Sequence, residues 1–214
     1  MGNGEQFFLE QFRQRQALWI YQGEPRAEAP HGLMTSGKHS KGYFNSTPIV
    51  RDPKLLSVAC GTLLHSISVD PKDVGEVWGS AMGAIMMAYE LAQQIGALSG
   101  YTEKQEGNMV VGRNAIQPGT RVLLVEDVIT TGGTTLKTVA ALESAGAIVM
   151  GEILALVNRS GLTELNGRKI VSLIEQELPL WSAAECPYCR VGSEALRPKG
   201  ENWFRLVGTG GETG

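Results

Sequence analysis

The sequence predicts an α/β protein built on a doubly wound, mainly parallel sheet. Short apolar runs alternate with segments whose apolar residues recur at helical spacing, the order that βαβ units produce. One run, residues 122–125 in RVLLVEDV, is apolar without a break, as in a strand covered on both faces. The 27 glycines among 214 residues gather in short clusters between the runs, where the backbone of such a sheet comes close to a ligand.

Residues 5–20 carry Phe7, Phe8, Phe12 and Trp19 at mixed helical spacing and read as a helix with an aromatic face. PHGLMTSGKHSKGYFN reads as a short strand, a turn at Ser36 and Gly37, and a second strand ending near Asn45. Asp52 followed by Pro53 marks a helix start, a capping carboxylate with proline at the first position. Leu56, Ala59, Cys60, Leu63, Leu64 and Ile67 then give that helix one apolar face. VGEVWGS reads as a strand ending at Gly79, and AIMMAYELAQQIG as a helix stopped by Gly96. LSGYTEKQEGNMVVG reads as a strand, a polar loop and a short strand. RVLLVEDV is the buried strand, TTLKTVAALESAG a helix closed by Gly146, and AIVMGEILALV and KIVSLIE two further strands.

Apolar residues make up 43% of the chain and charged residues 19%, enough apolar material for a buried core. A net charge of -3 speaks against a globally basic nucleic-acid binder. No run approaches the ~18 apolar residues of a membrane span. The opening MGNGEQ places Gln6 where a myristoylation signal needs Ser or Thr, and no apolar stretch of a secretory signal follows. Cys60, Cys186 and Cys189 are too few for a disulfide framework, so the expected compartment is a reducing cytoplasm.

The chemistry concentrates in RVLLVEDVITTGGTT, residues 121–135. The apolar strand ends in adjacent carboxylates, Glu126 and Asp127, and Thr130, Thr131, Gly132, Gly133 and Thr134 lead into a helix. Glycines let backbone N–H groups close on a phosphate, hydroxyls add donors, and the helix N-terminus adds partial positive charge. The carboxylates can accept hydrogen bonds from vicinal sugar hydroxyls and stabilise positive charge at an anomeric carbon. The segment is not a Walker loop, since Gly-Lys-Ser/Thr is absent, and its glycine spacing is not that of a dinucleotide fingerprint. Acid pair, threonine–glycine run and buried strand, in that order, point to a sugar phosphate.

VLLVEDVITTGGTT closely resembles the phosphoribosyl pyrophosphate motif of the type I phosphoribosyltransferases. TSGKHSKGYFN, VWGSAMGAI, YTEKQEG and LVNRSG make the chain similar to the orotate-using branch of that superfamily, from about residue 30 to 160. The resemblance implies a sheet of the type I phosphoribosyltransferase kind with an N-terminal hood segment. It also implies a single domain over residues 1–214: helix and hood to about residue 50, core sheet over about 51–175, and a tail from about 176. The implied reaction is Mg²⁺-dependent transfer of the phosphoribosyl group of phosphoribosyl pyrophosphate to orotate, giving orotidine 5′-monophosphate and pyrophosphate. The implied assembly is a cytoplasmic homodimer whose catalytic loops reach into the partner's site, with no nucleic acid or membrane as partner.

The resemblance also assigns roles. Glu126 and Asp127 hold the ribose 2′- and 3′-hydroxyls, and Asp127 is counted as catalytic. Thr130, Thr131, Gly132, Gly133 and Thr134 cradle the 5′-phosphate. The turn Gly79-Ser80-Ala81-Met82-Gly83 binds pyrophosphate through backbone N–H groups, with Met82 and Gly83 against the donor. Lys104 lies in the catalytic loop and stabilises charge on departing pyrophosphate, with Arg113 as a second cation. Tyr43, Phe44 and Thr130 line the base site, and Arg159 meets the orotate carboxylate as a planar bidentate partner. Lys38 and His39, beside the hood, are further candidates for ligand contact. The metal is held chiefly by substrate oxygens, so no protein residue is assigned to it. The chain departs from the family pattern at Gly83 and Thr35, where lysine is common, and in a loop with a single lysine among Glu103, Gln105 and Glu106.

Two other readings share the motif: a phosphoribosyltransferase for a purine base, and a regulatory protein of the same fold that binds nucleic acid. The net charge of -3 and the lack of a basic run weigh against the second. Cys186 and Cys189 form a Cys-x-x-Cys pair, but a mononuclear zinc site needs four ligands and no second pair is present. The pair therefore reads as a turn packed in the tail, with a metal shared across a dimer as the lesser reading.

Overall fold

The computed structural model describes residues 3–112 and 115–208. In chain order its helices are α1 (Asn3–Gln14), α2 (Thr47–Val50), α3 (Pro53–Ser66), α4 (Ile85–Ile95), α5 (Gly133–Ser144), α6 (Pro187–Arg190) and α7 (Glu201–Val207). Its strands are β1 (Leu18–Ile20), β2 (His31–Leu33), β3 (His39–Ser40), β4 (Gly42–Phe44), β5 (Glu76–Ser80), β6 (Leu98–Gln105), β7 (Asn108–Val111), β8 (Arg121–Ile129), β9 (Ile148–Asn158), β10 (Glu164–Leu165), β11 (Arg168–Glu175) and β12 (Ala195–Leu196). Two compact units result: one from the segment ending at Phe8 together with Ser46–Gln176, the other from Leu9–Asn45 and the segment starting at Glu177.

The first unit holds a seven-stranded sheet in the order β10-β11-β9-β8-β5-β6-β7. The five inner strands are mutually parallel, and β10 and β7 pair antiparallel at the edges. From β5 the chain moves to β6 on one side, and then returns to β8 on the other. The gap between β5 and β8 is therefore the topological switch point, where ligands of such sheets bind beyond the strand carboxyl ends. Residues 122–125 of β8 are fully buried, as the unbroken apolar run predicts. Val122 and Leu124 cluster with Val139 and Leu142 of α5, so their neighbours Leu123 and Val125 point to the opposite face.

The helix signals hold at residue level. The Asp52 carboxylate accepts from the Lys54 and Leu55 N–H groups at 3.2 and 3.3 Å, with Pro53 as the first residue of α3. Gly96 ends α4 at φ 73°, a left-handed position that suits glycine.

Two readings are corrected. The segment 5–20 is not one helix: α1 ends at Gln14, Gln16 takes φ 49°, and Trp19 sits in β1 opposite Tyr43 of β4. The aromatic spacing misled because α1 buries Phe8 and Phe12 while β1 buries Trp19. The polar segment YTEKQEGN is not a loop but most of a hairpin. β6 and β7 pair from Thr102 with Val111 to Gln105 with Asn108, around a two-residue turn of Glu106 at φ 49° and Gly107 at φ 84°. Both turn residues lie at positive φ, the hairpin geometry that matches strand twist. The Lys137 ammonium of α5 donates to the Gly107 carbonyl at 2.5 Å and fixes the turn.

The second unit joins the hood and the tail of the sequence reading. β1 pairs with β4, and β12 from the tail pairs in parallel with β2, which pairs in turn with β3. Trp19, Tyr21, Ala29, Tyr188, Leu196 and Leu206 cluster with the buried Cys186, and Phe12, Leu18 and Phe44 are buried as well. The backbone of His39 exchanges hydrogen bonds with Trp181 at 2.8 and 2.9 Å, fastening β3 to the start of the tail.

Candidate functional site

The turns that leave β5 and β8 face one another around a cavity of about 150 Å³. Ser80 at the end of β5 contributes with Ala81 and Gly83 of the turn that follows it, and Glu126, Asp127 and Val128 near the end of β8 contribute with Thr130 and Gly132 of the next turn and Thr134 and Thr135 of α5. Gly132 takes φ 75° at the start of α5, and a Cβ there would strike the Leu165 side chain. The first N–H groups of a helix have no intrahelical acceptor, so α5 offers donors and partial positive charge at this cavity. Gly83 explains one departure from the family pattern. A Cβ at that position would overlap the Asp127 carboxylate, so a larger residue there would displace Asp127 from this position.

The adjacent carboxylates differ sharply. Glu126 is 4% exposed; Ser80 Oγ donates to Oε2, and Thr135 Oγ1 donates to Oε1 at 3.2 Å. Burial pushes its carboxyl up to about 7; the Ser80 hydrogen bond pulls it down, the charge of Asp127 adds to the rise, and the Thr135 bond opposes it. Asp127 is half-buried and accepts from Ser46 Oγ at 2.5 Å, leaving lone pairs toward the cavity. A diol or a cation therefore meets Asp127 readily, while Glu126 is already held on both oxygens.

The structure brings Glu126, Asp127, Thr130, Gly132, Thr134 and Gly83 together at this cavity. Thr131 and Gly133 belong to the same turn, where Gly133 N–H donates to Thr131 Oγ1 at 3.4 Å, and Met82 is 83% exposed on the facing turn. Lys104 is exposed in β6, paired with Met109, and is not among the cavity's residues. Arg113 lies outside the described residues. Arg159 follows β9, is 2% exposed, and donates its backbone N–H to the Ile129 carbonyl at 2.9 Å. This puts a buried guanidinium at the carboxyl edge of the sheet rather than on a solvated loop. Tyr43 and Phe44 belong to the second unit. Phe44 is buried edge-on against Phe12 at 5.2 Å, and Tyr43 packs on Trp203 at 6.0 Å. His39 is likewise buried there, beside His31 and Cys189, while Lys38 is exposed. Sequence reasoning gave no role to Ser46 or Thr135. Both are hydroxyls whose value lies in a contact distant along the chain.

A switch-point cavity closed by an acid pair, a threonine–glycine turn and a helix N-terminus defines a phosphoribosyltransferase-type site. Residues 77–182 match the phosphoribosyl transferase domain. The orotate phosphoribosyltransferase of Acidithiobacillus ferrooxidans is 34% identical over 170 residues, spanning 78% of this chain and 87% of that protein. That of a Nitratiruptor species is 34% identical over 183 residues, spanning 78% and 90%. The crystal structure of orotate phosphoribosyltransferase from Aeropyrum pernix superimposes with a TM-score of 0.61 at 27% identity, covering 78% of this chain and 92% of that one. The chain belongs to the orotate phosphoribosyltransferase family.

Proposed function

We propose that this protein transfers the phosphoribosyl group of phosphoribosyl pyrophosphate to orotate. N1 of orotate forms a bond to C1 of the ribose as the C1–oxygen bond to pyrophosphate breaks, and pyrophosphate leaves with that electron pair. The observation that carries the reading is the facing of the two turns around one cavity, acid pair on one side and phosphate-binding turn beside it. Thr130, Thr134 and the N-terminus of α5 receive the 5′-phosphate. Asp127 orients the ribose hydroxyls and balances positive charge that develops at C1. The turn carrying Ser80, Ala81, Met82 and Gly83 receives pyrophosphate. Arg159 pairs with the orotate carboxylate, and its burial makes such a pair strong.

The side-chain ligand atoms at the cavity, from Ser80, Glu126, Asp127, Thr130, Thr134 and Thr135, are oxygens, a set suited to a hard cation such as Mg²⁺. Asp127, half-exposed at the cavity, would be the protein group in contact with it, and when bound the ion would supply Lewis-acid assistance to the leaving group. The reading extends to a cytoplasmic homodimer. Lys104, exposed on the β6–β7 hairpin and away from the cavity of its own chain, would then serve the site of a second copy. A base screen with the phosphoribosyl donor and Mg²⁺ tests the assignment: orotate is consumed, while uracil, adenine, hypoxanthine and xanthine are not. Preferential turnover of a purine overturns it.

A further inference from the structure

The second unit carries a cluster that the transferase chemistry does not use. His31 and His39, two of the three histidines of the chain, lie with Cys186 and Cys189, and one ligand atom from each falls within 4.8 Å of every other. His31 Nε2 and His39 Nδ1 are 2.7 Å apart. Cys189 Sγ lies 3.5 Å from the first nitrogen and 3.3 Å from the second. A tetrahedral zinc with bonds of about 2.3 Å to sulfur and about 2.0–2.1 Å to nitrogen separates sulfur from nitrogen by roughly 3.5 Å, close to both sulfur distances, and the two nitrogens by roughly 3.3 Å, so the imidazoles part by about 0.6 Å to admit the ion.

The surroundings hold the ligands as a metal site requires. The Ser193 hydroxyl donates its one proton to the Ala29 carbonyl at 2.7 Å, so its oxygen accepts from His31 Nδ1–H at 2.8 Å. That fixes the tautomer of His31 and leaves Nε2 as a bare lone pair aimed into the cluster. The Tyr188 ring stacks on the His31 ring, with centroids 5.4 Å apart. The carbonyls of Cys186 and Cys189 accept from Arg190 and Gly192 N–H at 3.3 and 3.1 Å, shaping the Cys-x-x-Cys turn. His31, His39 and Cys186 are buried and Cys189 is half-buried, so the four ligands lie inside the unit rather than on its surface. Two thiolates cancel the charge of a divalent ion, which makes the assembly neutral and compatible with that interior.

We infer that His31, His39, Cys186 and Cys189 bind one zinc ion that staples the hood and tail segments of the second unit together. Zinc is selected by the S₂N₂ donor set, and four protein ligands leave no open position, so the ion is structural rather than catalytic. The Cys-x-x-Cys pair is therefore completed by histidines from the other end of the chain, not by a second cysteine pair or a partner subunit.

The test uses the full chain, purified without chelator. Elemental analysis is expected to give about one zinc per chain, and replacement by Co²⁺ the visible bands of tetrahedral cobalt with thiolate charge transfer in the near ultraviolet. Cys189→Ser and His39→Ala should lower zinc content at least about tenfold, since each removes one of four ligands. His65→Ala, at an exposed position of α3, should leave it unchanged. Because metal content and cobalt spectrum are read on the wild type, a variant that fails to fold does not decide the matter. Wild-type protein that retains no stoichiometric zinc and gives no tetrahedral cobalt bands overturns the inference. So does a Cys186–Cys189 disulfide in the protein as isolated.

Discussion

The two units keep their polar chemistry in opposite places. In the first, apolar strands fill the centre and the reactive groups sit in turns at the carboxyl edge, with Glu126 the one site carboxylate drawn inside. In the second, imidazoles and thiols lie among the buried rings of Trp19, Tyr21 and Tyr188. A sheet whose central strands are buried can leave its working end open. A unit made of two short segments from opposite ends of the chain gains from a cross-link between them beside its apolar contacts.

The largest expected effect breaks the comparison on the side of the small unit. Stripping zinc with a strong chelator should raise amide hydrogen exchange in β2, β3 and β12 by about 10³-fold, or about 4 kcal/mol of local stability, because metal binding there is folding energy. Amides of β8 and β9 should keep their protection. Equal protection of β2, β3 and β12 with and without chelator would mean that the small unit holds together by its apolar contacts alone.

On the side of the large unit, the turn should tolerate little change in charge. Asp127→Asn should lower kcat/KM by about 10²–10³-fold, equivalent to about 3–4 kcal/mol of lost transition-state stabilisation, with the fold intact. Steady-state kinetics against both substrates checks it, and a loss smaller than about threefold would remove Asp127 from the chemistry.

Much of this contrast could be read from the chain, and some could not. The buried strand β8 was legible because residues 122–125 need no partner to declare themselves, and the Asp52-Pro53 start because its hydrogen bonds are local. The acid pair and the glycine turn were legible because phosphate binding requires contiguous backbone. The β6–β7 hairpin escaped notice because Glu106 is an uncommon residue for a left-handed turn position, so the usual Asn-Gly signal was absent. The Cys/His cluster escaped for another reason. His31 and His39 lie at one end of the chain and Cys186 and Cys189 at the other, and the long-range pairings of β12 with β2 and of His39 with Trp181 bring them together. The burial of Glu126, adjacent to a half-exposed Asp127, was equally invisible, since it depends on Ser80 and Thr135.

Glu126 offers a pH test of the site carboxylate that the large unit buries. Its carboxyl titrates near 7 when folded, above its ordinary value of 4.5. A raised folded pKa means that the native state holds the proton more tightly than the unfolded chain. Its contribution is thus fully present below about pH 4.5 and is lost as pH rises to about 7, a loss of about 3 kcal/mol. Glu126→Gln should flatten the stability profile across that window, as measured by denaturant unfolding of ligand-free protein at a series of pH values. A wild-type profile without this slope would show that Glu126 ionises freely inside the fold.

The smallest effect separates stability from chemistry within the large unit. Ser46 and Asp52 both stand just before a helix, and both are residue types that cap helices. Only Asp52 does so, through its bonds to Lys54 and Leu55; Ser46 makes no side-chain cap and instead donates to Asp127. Asp52→Ala should therefore cost about 1 kcal/mol, a fall in Tm of about 3 °C, with kcat unchanged. Ser46→Ala should leave Tm within about 1 °C, since no helix cap is lost, yet lower kcat/KM by releasing the Asp127 carboxylate from its fixed orientation. Differential scanning calorimetry beside kinetics on the two variants reads both quantities. If Ser46→Ala lost stability and kept activity, the hydroxyl would belong to the helix rather than to the site.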